Sequence, residues 1–119
     1  MARILIADDD PDYISAFSAG MHALGHSVVG LGHSREVLPS LADDRFDVVF
    51  LDVLMPGGGA ITLLHRVREA FPELSIVVLT GSASVFDSPI MKTGMRQADA
   101  RISKTARLGE IADLIETLA

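Results

Sequence analysis

Short apolar segments alternate with amphipathic segments five times along this chain. Each apolar segment has the length of a buried strand, and the apolar residues of the segment that follows recur at helical spacing. The predicted strands are Ile4–Ala7, Ser27–Leu31, Asp47–Leu51, Ser75–Leu79 and Ala100–Ser103. Such alternation predicts an α/β fold in which helices cover both faces of a parallel sheet. Because the 119 residues contain no linker or repeat, we expect one domain over residues 1–119.

The sequence marks some of the predicted helices more clearly than others. Asp10 and Pro11 are typical of a helix N-cap and first helical position, and Gly25 is typical of a helix end. Pro39 interrupts the second helical segment, so we expect it to shift the start of that helix or to bend it. Residues 84–97 show only a weak helical pattern.

The chain is acidic, with 10 lysine and arginine residues against 16 aspartate and glutamate residues and a net charge of −6. An acidic domain is a poor candidate for direct binding to nucleic acid. It has no cysteine, which excludes disulfides and thiolate metal sites and is typical of the cytoplasm. The apolar runs are too short to span a membrane, and the N-terminus lacks the pattern of a signal peptide. We therefore expect a cytoplasmic protein that binds neither nucleic acid nor membranes.

Polar residues follow four of the five predicted strands. Asp8 and Asp9 come after the first strand, Asp52 after the third, Thr80 after the fourth and Lys104 after the fifth. The carboxyl ends of parallel strands lie at one edge of a sheet, which is where ligands bind in such folds. Clustered carboxylates repel one another, and Mg²⁺, which prefers oxygen ligands, would relieve that repulsion. A lysine and a hydroxyl beside such a cluster suit phosphoryl transfer, in which a carboxylate can be the nucleophile.

Four sequence motifs carry a resemblance to a known family. They are "ILIADDDP" at 4–11, "VVFLDVLMPG" at 48–57, "VVLTG" at 77–81 and "SK" at 103–104. Together they make the chain resemble, over essentially its whole length, the receiver domain of two-component response regulators. The resemblance implies a flavodoxin-like, doubly wound (βα)5 three-layer sandwich with strand order 2-1-3-4-5.

The resemblance also implies roles for particular residues. Asp52 would be the phosphoacceptor, and Thr80 and Lys104 would contact the phosphoryl oxygens, with Thr80 carrying the signal outward. The implied Mg²⁺ ligands are Asp8, Asp9, Asp52 and the backbone carbonyl of Leu54, with Asp9 favoured over Asp8 as the direct ligand.

The partners that the resemblance implies are other signalling proteins. The phosphoryl donor would be a phosphohistidine on a sensor histidine kinase or a phosphotransfer protein. The signal would pass to a downstream protein target or a fused output domain, and a homodimer is a further possibility. Such a domain is not an enzyme in the usual sense, because it catalyses only its own phosphotransfer and autodephosphorylation.

Two positions near the fifth strand depart from the family pattern. Thr105 follows the lysine where the family has a proline in a cis bond. A cis bond to a residue other than proline costs about 2.5–4 kcal/mol. We therefore expect either a trans bond with a shifted Lys104 or a strained bond. Arg101 stands where the family has its switch aromatic, and an arginine would carry its charge into an apolar slot. A third departure is Ala60, which replaces a loop glycine.

Three alternatives remain open from the sequence. A degenerate receiver that binds partners without phosphorylation is favoured by Arg101 and Thr105, but the intact acidic residues, threonine and lysine oppose it. A flavin domain of the same fold would need a phosphate-cradling loop after the first strand, where the acidic residues would repel phosphate. A phosphatase with an aspartate nucleophile usually has a second aspartate at the position of Leu54.

Overall fold

The computed structural model describes residues 1–53, 60–81 and 89–119. In this part of the chain five strands form one parallel sheet with the order β2-β1-β3-β4-β5. The strands are β1 (Arg3–Ala7), β2 (Ser27–Leu31), β3 (Val48–Asp52), β4 (Ser75–Thr80) and β5 (Ala100–Ser103). The predicted strand order and flavodoxin-like α/β fold are therefore confirmed.

Helices connect the strands within the same described residues. They are α1 (Pro11–Ala23), α2 (Val37–Asp43), α3 (Ala60–Ala70), α4 (Pro89–Gly94) and α5 (Leu108–Leu118). Single 3-10 turns precede α2 at Ser34–Glu36 and follow α4 at Met95–Gln97. Pro39 lies in the first turn of α2, where a missing backbone N–H costs no helical hydrogen bond. Helix α2 begins at Val37, two residues before the proline, so its first turn accommodates Pro39.

The start of α1 fixes the direction in which the chain leaves β1. The Asp10 carboxylate accepts hydrogen bonds from the backbone N–H groups of Asp12 and Tyr13 at 3.0 and 3.3 Å. Pro11 occupies the first helical position, and Gly25 follows the helix end with a φ of 93°, a conformation that favours glycine. The predicted cap and stop are both confirmed, and they leave Asp8 and Asp9 in the short connection before the helix.

Two apolar cores lie on opposite faces of the sheet, because successive strand residues point to opposite sides. One core combines strand residues Leu5, Val49, Leu51, Ile76 and Val78 with helix residues Val37, Leu41, Leu64 and Val67. The other combines Ile4, Ile6, Phe50, Val77 and Leu79 with Phe17, Met21, Ile111 and Ile115. Helices α2 and α3 therefore cover one face, and α1 and α5 cover the other.

Strands β3 and β4 each end one residue later than the sequence predicted, and β3 also begins one residue later, at Val48 instead of Asp47. Strand β3 runs through Asp52, which is in register with Leu79 of β4, and β4 runs through Thr80, which is in register with Ser103 of β5. The sequence placed both polar residues after their strands, because a polar residue weakens an apolar run. The parallel ladder continues past the last apolar residue, so Asp52 and Thr80 are held by the sheet itself.

No helix within the described ranges combines the length and the apolar character needed to cross a bilayer.

Candidate functional site

The connection after β1 supplies two acidic residues with different surroundings. Asp8 is fully buried; its backbone N–H donates to the carbonyl of Leu31 at 2.9 Å, and its Oδ1 accepts from the N–H of Asp10 at 2.9 Å. Asp9, the next residue, is exposed. One carboxylate of the pair is therefore fixed inside the protein, and the other is open to solvent.

Asp52 and Thr80 end neighbouring strands in the middle of the sheet. Asp52 is 4% exposed and Thr80 is fully buried. Buried carboxylates are rare in proteins unless they are paired or bind a cation. Because β3 lies between β1 and β4, the carboxyl ends of these strands bring Asp8, Asp52 and Thr80 to the same edge, as the sequence predicted.

The three carboxylates form a compact cluster. Asp8, Asp9 and Asp52 each offer one carboxylate oxygen, and these oxygens lie within 4.8 Å of one another. Oδ2 of Asp8 is buried and accepts no hydrogen bond of good geometry. An all-oxygen donor set of three clustered carboxylates fits a hard divalent cation such as Mg²⁺. The expected fourth ligand, the carbonyl of Leu54, lies outside the described residues.

Lys104 reaches this cluster from the end of β5. Its Nζ lies 2.6 Å from Oδ2 of Asp8 and 3.2 Å from Oδ2 of Asp52, and the side chain is 18% exposed. Burial by itself lowers the pKa of Lys104, but the contacts with the Asp8 and Asp52 carboxylates outweigh it, so the pKa lies above its usual value. The ammonium group is therefore the positive charge that balances the buried carboxylates.

The turn after Lys104 settles one expectation from the sequence. The Lys104–Thr105 bond is trans, and Lys104 nevertheless contacts both carboxylates, so the shift away from the site that we expected does not occur. The Lys104 N–H donates to the carbonyl of Thr80 at 2.8 Å. The hydroxyls of Ser103 and Thr105 share a hydrogen bond of 2.7 Å, and the Thr105 N–H donates to Oγ of Ser103 at 3.1 Å. Side chains and the adjacent strand thus shape the turn without a proline.

Tyr13 belongs to the site, although the sequence analysis did not identify it. The centre of its ring lies 5.3 Å from Nζ of Lys104. Burial raises the pKa of Tyr13, and the negative charges of Asp8 and Asp52 raise it further against the opposing effect of Lys104. Its position in the first turn of a helix that follows an acidic connection was the signal that could have identified it.

Arg101 is a surface residue of the last strand. It is an exposed residue of β5, in register with Val78 of β4. An exposed arginine is consistent with the expectation that its charge does not enter an apolar slot. The structure therefore brings the acidic residues and Lys104 together, with Thr80 at the same edge, and leaves Arg101 on the surface.

Comparisons with known proteins identify the family of this chain. Residues 4–116 match the family model of the response regulator receiver domain. The chain is 29% identical over 119 residues to the response regulator receiver protein CpdR of Brucella abortus (strain 2308), covering 99% of this chain and 97% of CpdR. It is 28% identical over 115 residues to the DNA-binding transcriptional regulator NtrC of Azospirillum brasilense, covering 97% of this chain and 24% of that protein.

A solved structure shows the same fold over the whole length of the chain. The response regulator TrrA of Thermotoga maritima, in complex with Mg²⁺-BeF, superposes with a TM-score of 0.89 at 22% identity, covering all of both chains. At this level of identity the superposition supports the fold, and the family model matches nearly the whole chain. The chain therefore belongs to the response regulator receiver domains of two-component signalling systems.

Proposed function

We propose that this domain is the phosphoacceptor of a two-component phosphorelay and that Asp52 receives the phosphoryl group. One observation carries the proposal: a carboxylate oxygen of Asp52 lies within 4.8 Å of oxygens from Asp8 and Asp9, and Lys104 Nζ is 3.2 Å from its Oδ2. Phosphoryl transfer depends mainly on such positioning and charge neutralisation. Asp52 is also fixed by the β3–β4 ladder, so the nucleophile needs little rearrangement before reaction.

The transfer step exchanges one bond for another at phosphorus. A carboxylate oxygen of Asp52 attacks the phosphorus atom of a phosphohistidine on a sensor kinase or phosphotransfer protein. The P–O bond forms while the P–N bond breaks, and its electron pair stays on the imidazole nitrogen. Later attack by water on the aspartyl phosphate breaks the new P–O bond, releases phosphate and regenerates the carboxylate.

The acidic residues would hold Mg²⁺ beside the nucleophile. Asp8, Asp9 and Asp52 supply carboxylate oxygens, with the backbone carbonyl of Leu54 as the proposed further ligand. Bound Mg²⁺ supplies positive charge that offsets the negative charge of the phosphoryl oxygens. Exposed Asp9 is the residue that can adjust to a hydrated ion, whereas buried Asp8 is fixed by its hydrogen bonds.

Lys104 and Thr80 would contact the phosphoryl oxygens and begin the response. The Lys104 ammonium already lies against the nucleophile, and the Thr80 carbonyl accepts the Lys104 N–H at 2.8 Å. A phosphoryl group on Asp52 would compete with the Asp8 and Asp52 carboxylates for the Lys104 ammonium group. We propose that the change passes through β4 and β5 to the exposed surface at Arg101, which would act as the switch residue in place of an aromatic ring.

The partners follow from this role. The donor is a sensor histidine kinase or a phosphotransfer protein, and the output is a downstream target or a fused output domain, with a homodimer as a further way of responding. The relatives support both output arrangements, because the chain spans 97% of CpdR but only 24% of NtrC. The domain would act on no substrate other than its own aspartate.

Intact-mass measurement after incubation with acetyl phosphate tests the proposal. We expect the wild-type protein to gain one phosphoryl group in the presence of Mg²⁺ and none in its absence. Asp52→Asn should abolish the gain, whereas Asp113→Asn, at an exposed position on α5, should leave it unchanged. A gain that persists in Asp52→Asn, or no gain in the wild type at early acid-quenched times, would contradict the proposal.

A further inference from the structure

We propose that Tyr13 is a positioning residue for Lys104. The face of the tyrosine ring holds the Lys104 ammonium group beside the carboxylates of Asp8 and Asp52. The inference rests on the proposed function, because Lys104 is taken there to meet the phosphoryl oxygens. It concerns a residue of α1 that none of the four sequence motifs contains, and it explains how a lysine without a following proline is kept in place.

The contacts of Lys104 define a narrow position for its ammonium group. Nζ lies 5.3 Å from the centre of the Tyr13 ring, within the distance of about 6 Å at which a cation is attracted to an aromatic face. The same atom lies 2.6 Å from Oδ2 of Asp8 and 3.2 Å from Oδ2 of Asp52. The ring and the two carboxylates therefore bind one cation together. Because the lysine side chain is only 18% exposed, water weakens this attraction little.

The ring of Tyr13, not its hydroxyl, makes these contacts. Oη of Tyr13 is buried and has no hydrogen-bond partner among the described residues. A buried hydroxyl without a partner destabilises a protein, so the hydroxyl does not explain why the side chain lies here. The ring lies near Lys104 and near Phe17, whose ring centre is 6.3 Å away. A phenylalanine at this position should therefore hold Lys104 as well as the tyrosine does.

Lys104 needs such support because the hydrogen bonds of its turn fix the backbone and not the lysine side chain. Thr105 is exposed and follows Lys104 through a trans bond. The backbone of Lys104 is fixed by its hydrogen bond to Thr80, but that bond does not restrain the four-carbon side chain. A lysine side chain has many rotamers, and the tyrosine ring removes those that point away from the carboxylates.

Three variants separate the ring from the hydroxyl and from general destabilisation. Tyr13→Phe keeps the ring, Tyr13→Leu removes it, and Phe17→Leu removes a buried ring from the next turn of α1, where it packs on Phe50 at 5.0 Å. With acetyl phosphate and Mg²⁺, we expect Tyr13→Leu to lower the phosphorylation rate about tenfold, equivalent to about 1.4 kcal/mol. Tyr13→Phe and Phe17→Leu should stay within about twofold of the wild type, even though Phe17→Leu unfolds at a lower temperature.

The NMR shifts of the Lys104 ε-methylene protons provide a readout that does not depend on phosphorylation. The aromatic ring should displace these signals in the wild type and in Tyr13→Phe, and the displacement should vanish in Tyr13→Leu. A failure of the wild type to accept a phosphoryl group would refute the proposed function and leave the inference to be judged by these shifts. Unchanged shifts in Tyr13→Leu, or equal rate losses in Tyr13→Leu and either Tyr13→Phe or Phe17→Leu, would overturn it.

Discussion

The two sides of the site are held in different ways. On the acceptor side, which we define as β1 and β3 with Asp8 and Asp52, both strands pair with neighbours on each side, and every residue of β3 is buried. On the lysine side, which we define as β5 with the turn at Lys104 and Thr105, the described strand pairs only with β4, and no residue of β5 is fully buried. Asp52, the proposed nucleophile, is thus fixed by the sheet, whereas the side chain of Lys104 depends on contacts with other side chains.

This difference suits the proposed chemistry. A nucleophile benefits from a position that does not change before the reaction, because misplacement raises the barrier. The side that we propose to respond to phosphorylation must be able to rearrange, and segments with few buried apolar contacts rearrange at the lowest free-energy cost. We therefore expect the largest differences in stability between variants to separate the acceptor side from the lysine side.

Removing one apolar side chain from each side is the most direct test of whether the two sides differ in packing. Phe50 of β3 is fully buried and packs edge-on against Phe17, whereas Ile102 of β5 is half-buried. We expect Phe50→Ala to lower the free energy of unfolding by about 3–5 kcal/mol and Ile102→Ala by about 1–2 kcal/mol. Urea unfolding followed by circular dichroism measures both. Equal losses would show that the two sides are equally well packed.

Arg68 anchors the lysine side at the amino-terminal ends of β4 and β5, away from Lys104. Its guanidinium donates to the carbonyls of Pro72, Leu74 and Gln97 at 2.7–3.1 Å and to Oδ2 of Asp99 at 2.7 Å. These bonds join the end of α3 to the segments that lead into β4 and β5. Hydrogen bonds from a charged donor contribute about 1.5–3 kcal/mol, so we expect Arg68→Ala to cost about 2 kcal/mol overall.

Amide hydrogen exchange should show which part of the sheet loses stability in Arg68→Ala. The backbone N–H of Asp99, which donates to the Ile76 carbonyl at 2.8 Å, should exchange faster in the variant, while amides of β1 should change little. Arg66→Ala, at an exposed position of the same helix, is the matched control and should leave both stability and exchange close to wild type. Uniform acceleration across the sheet would mean that the two sides do not differ as we describe.

The single tyrosine of the chain gives a pH-dependent measure of the contact between the two sides. Because burial and then the Asp8 charge raise the pKa of Tyr13, we expect its ultraviolet absorbance to titrate above the usual value of 10.0. Folding favours the neutral phenol, so this contribution to stability is complete below the unfolded pKa and is lost as pH rises through the folded pKa. The raised pKa of Lys104 acts in the same direction.

Asp8→Asn separates the carboxylate charge from burial as the cause of that shift. The variant should lower the pKa of Tyr13 relative to wild type without returning it to the usual value, because burial remains. Asp12→Asn, at an exposed position of α1, should leave the titration unchanged. If Asp8→Asn leaves the absorbance titration of Tyr13 where it was, the charge of Asp8 does not act on the ring.

The acceptor side was the easier side to predict from the sequence, for a physical reason. Buried strands leave continuous apolar runs, and a carboxylate at the end of such a run is conspicuous, so Asp8 and Asp52 could be placed without a structure. The predicted third strand ended at Leu51, one residue too early, because β3 includes Asp52. Ladder pairing between strands decides where a strand ends, and a single chain segment does not encode that pairing.

The remaining features depend on contacts between distant segments. The contact of Tyr13 with Lys104 joins α1 to the end of β5. The local sequence places Tyr13 near the acidic connection but does not show that it meets the lysine. Helix α4 is short and ends at Gly94, which is buried against Ile61 so closely that an added Cβ would overlap that side chain. The weak helical pattern of residues 84–97 predicted neither this packing nor the bounds of the helix. Such features depend on tertiary packing, which overrides the local propensities of the sequence.

The hydroxyl pair of Ser103 and Thr105 should have the smallest effect, and it tests which contact positions Lys104. Thr105→Val keeps the shape of the side chain but removes the 2.7 Å bond to Ser103. Because Thr105 is exposed and its N–H still donates to Oγ of Ser103 at 3.1 Å, we expect a loss of only about 0.5 kcal/mol in unfolding free energy. Phosphorylation by acetyl phosphate should stay within about twofold of wild type. A tenfold slower reaction would instead mean that the hydroxyl pair, and not the Tyr13 ring, keeps the lysine in place, and the lysine side would then be fixed by its own turn.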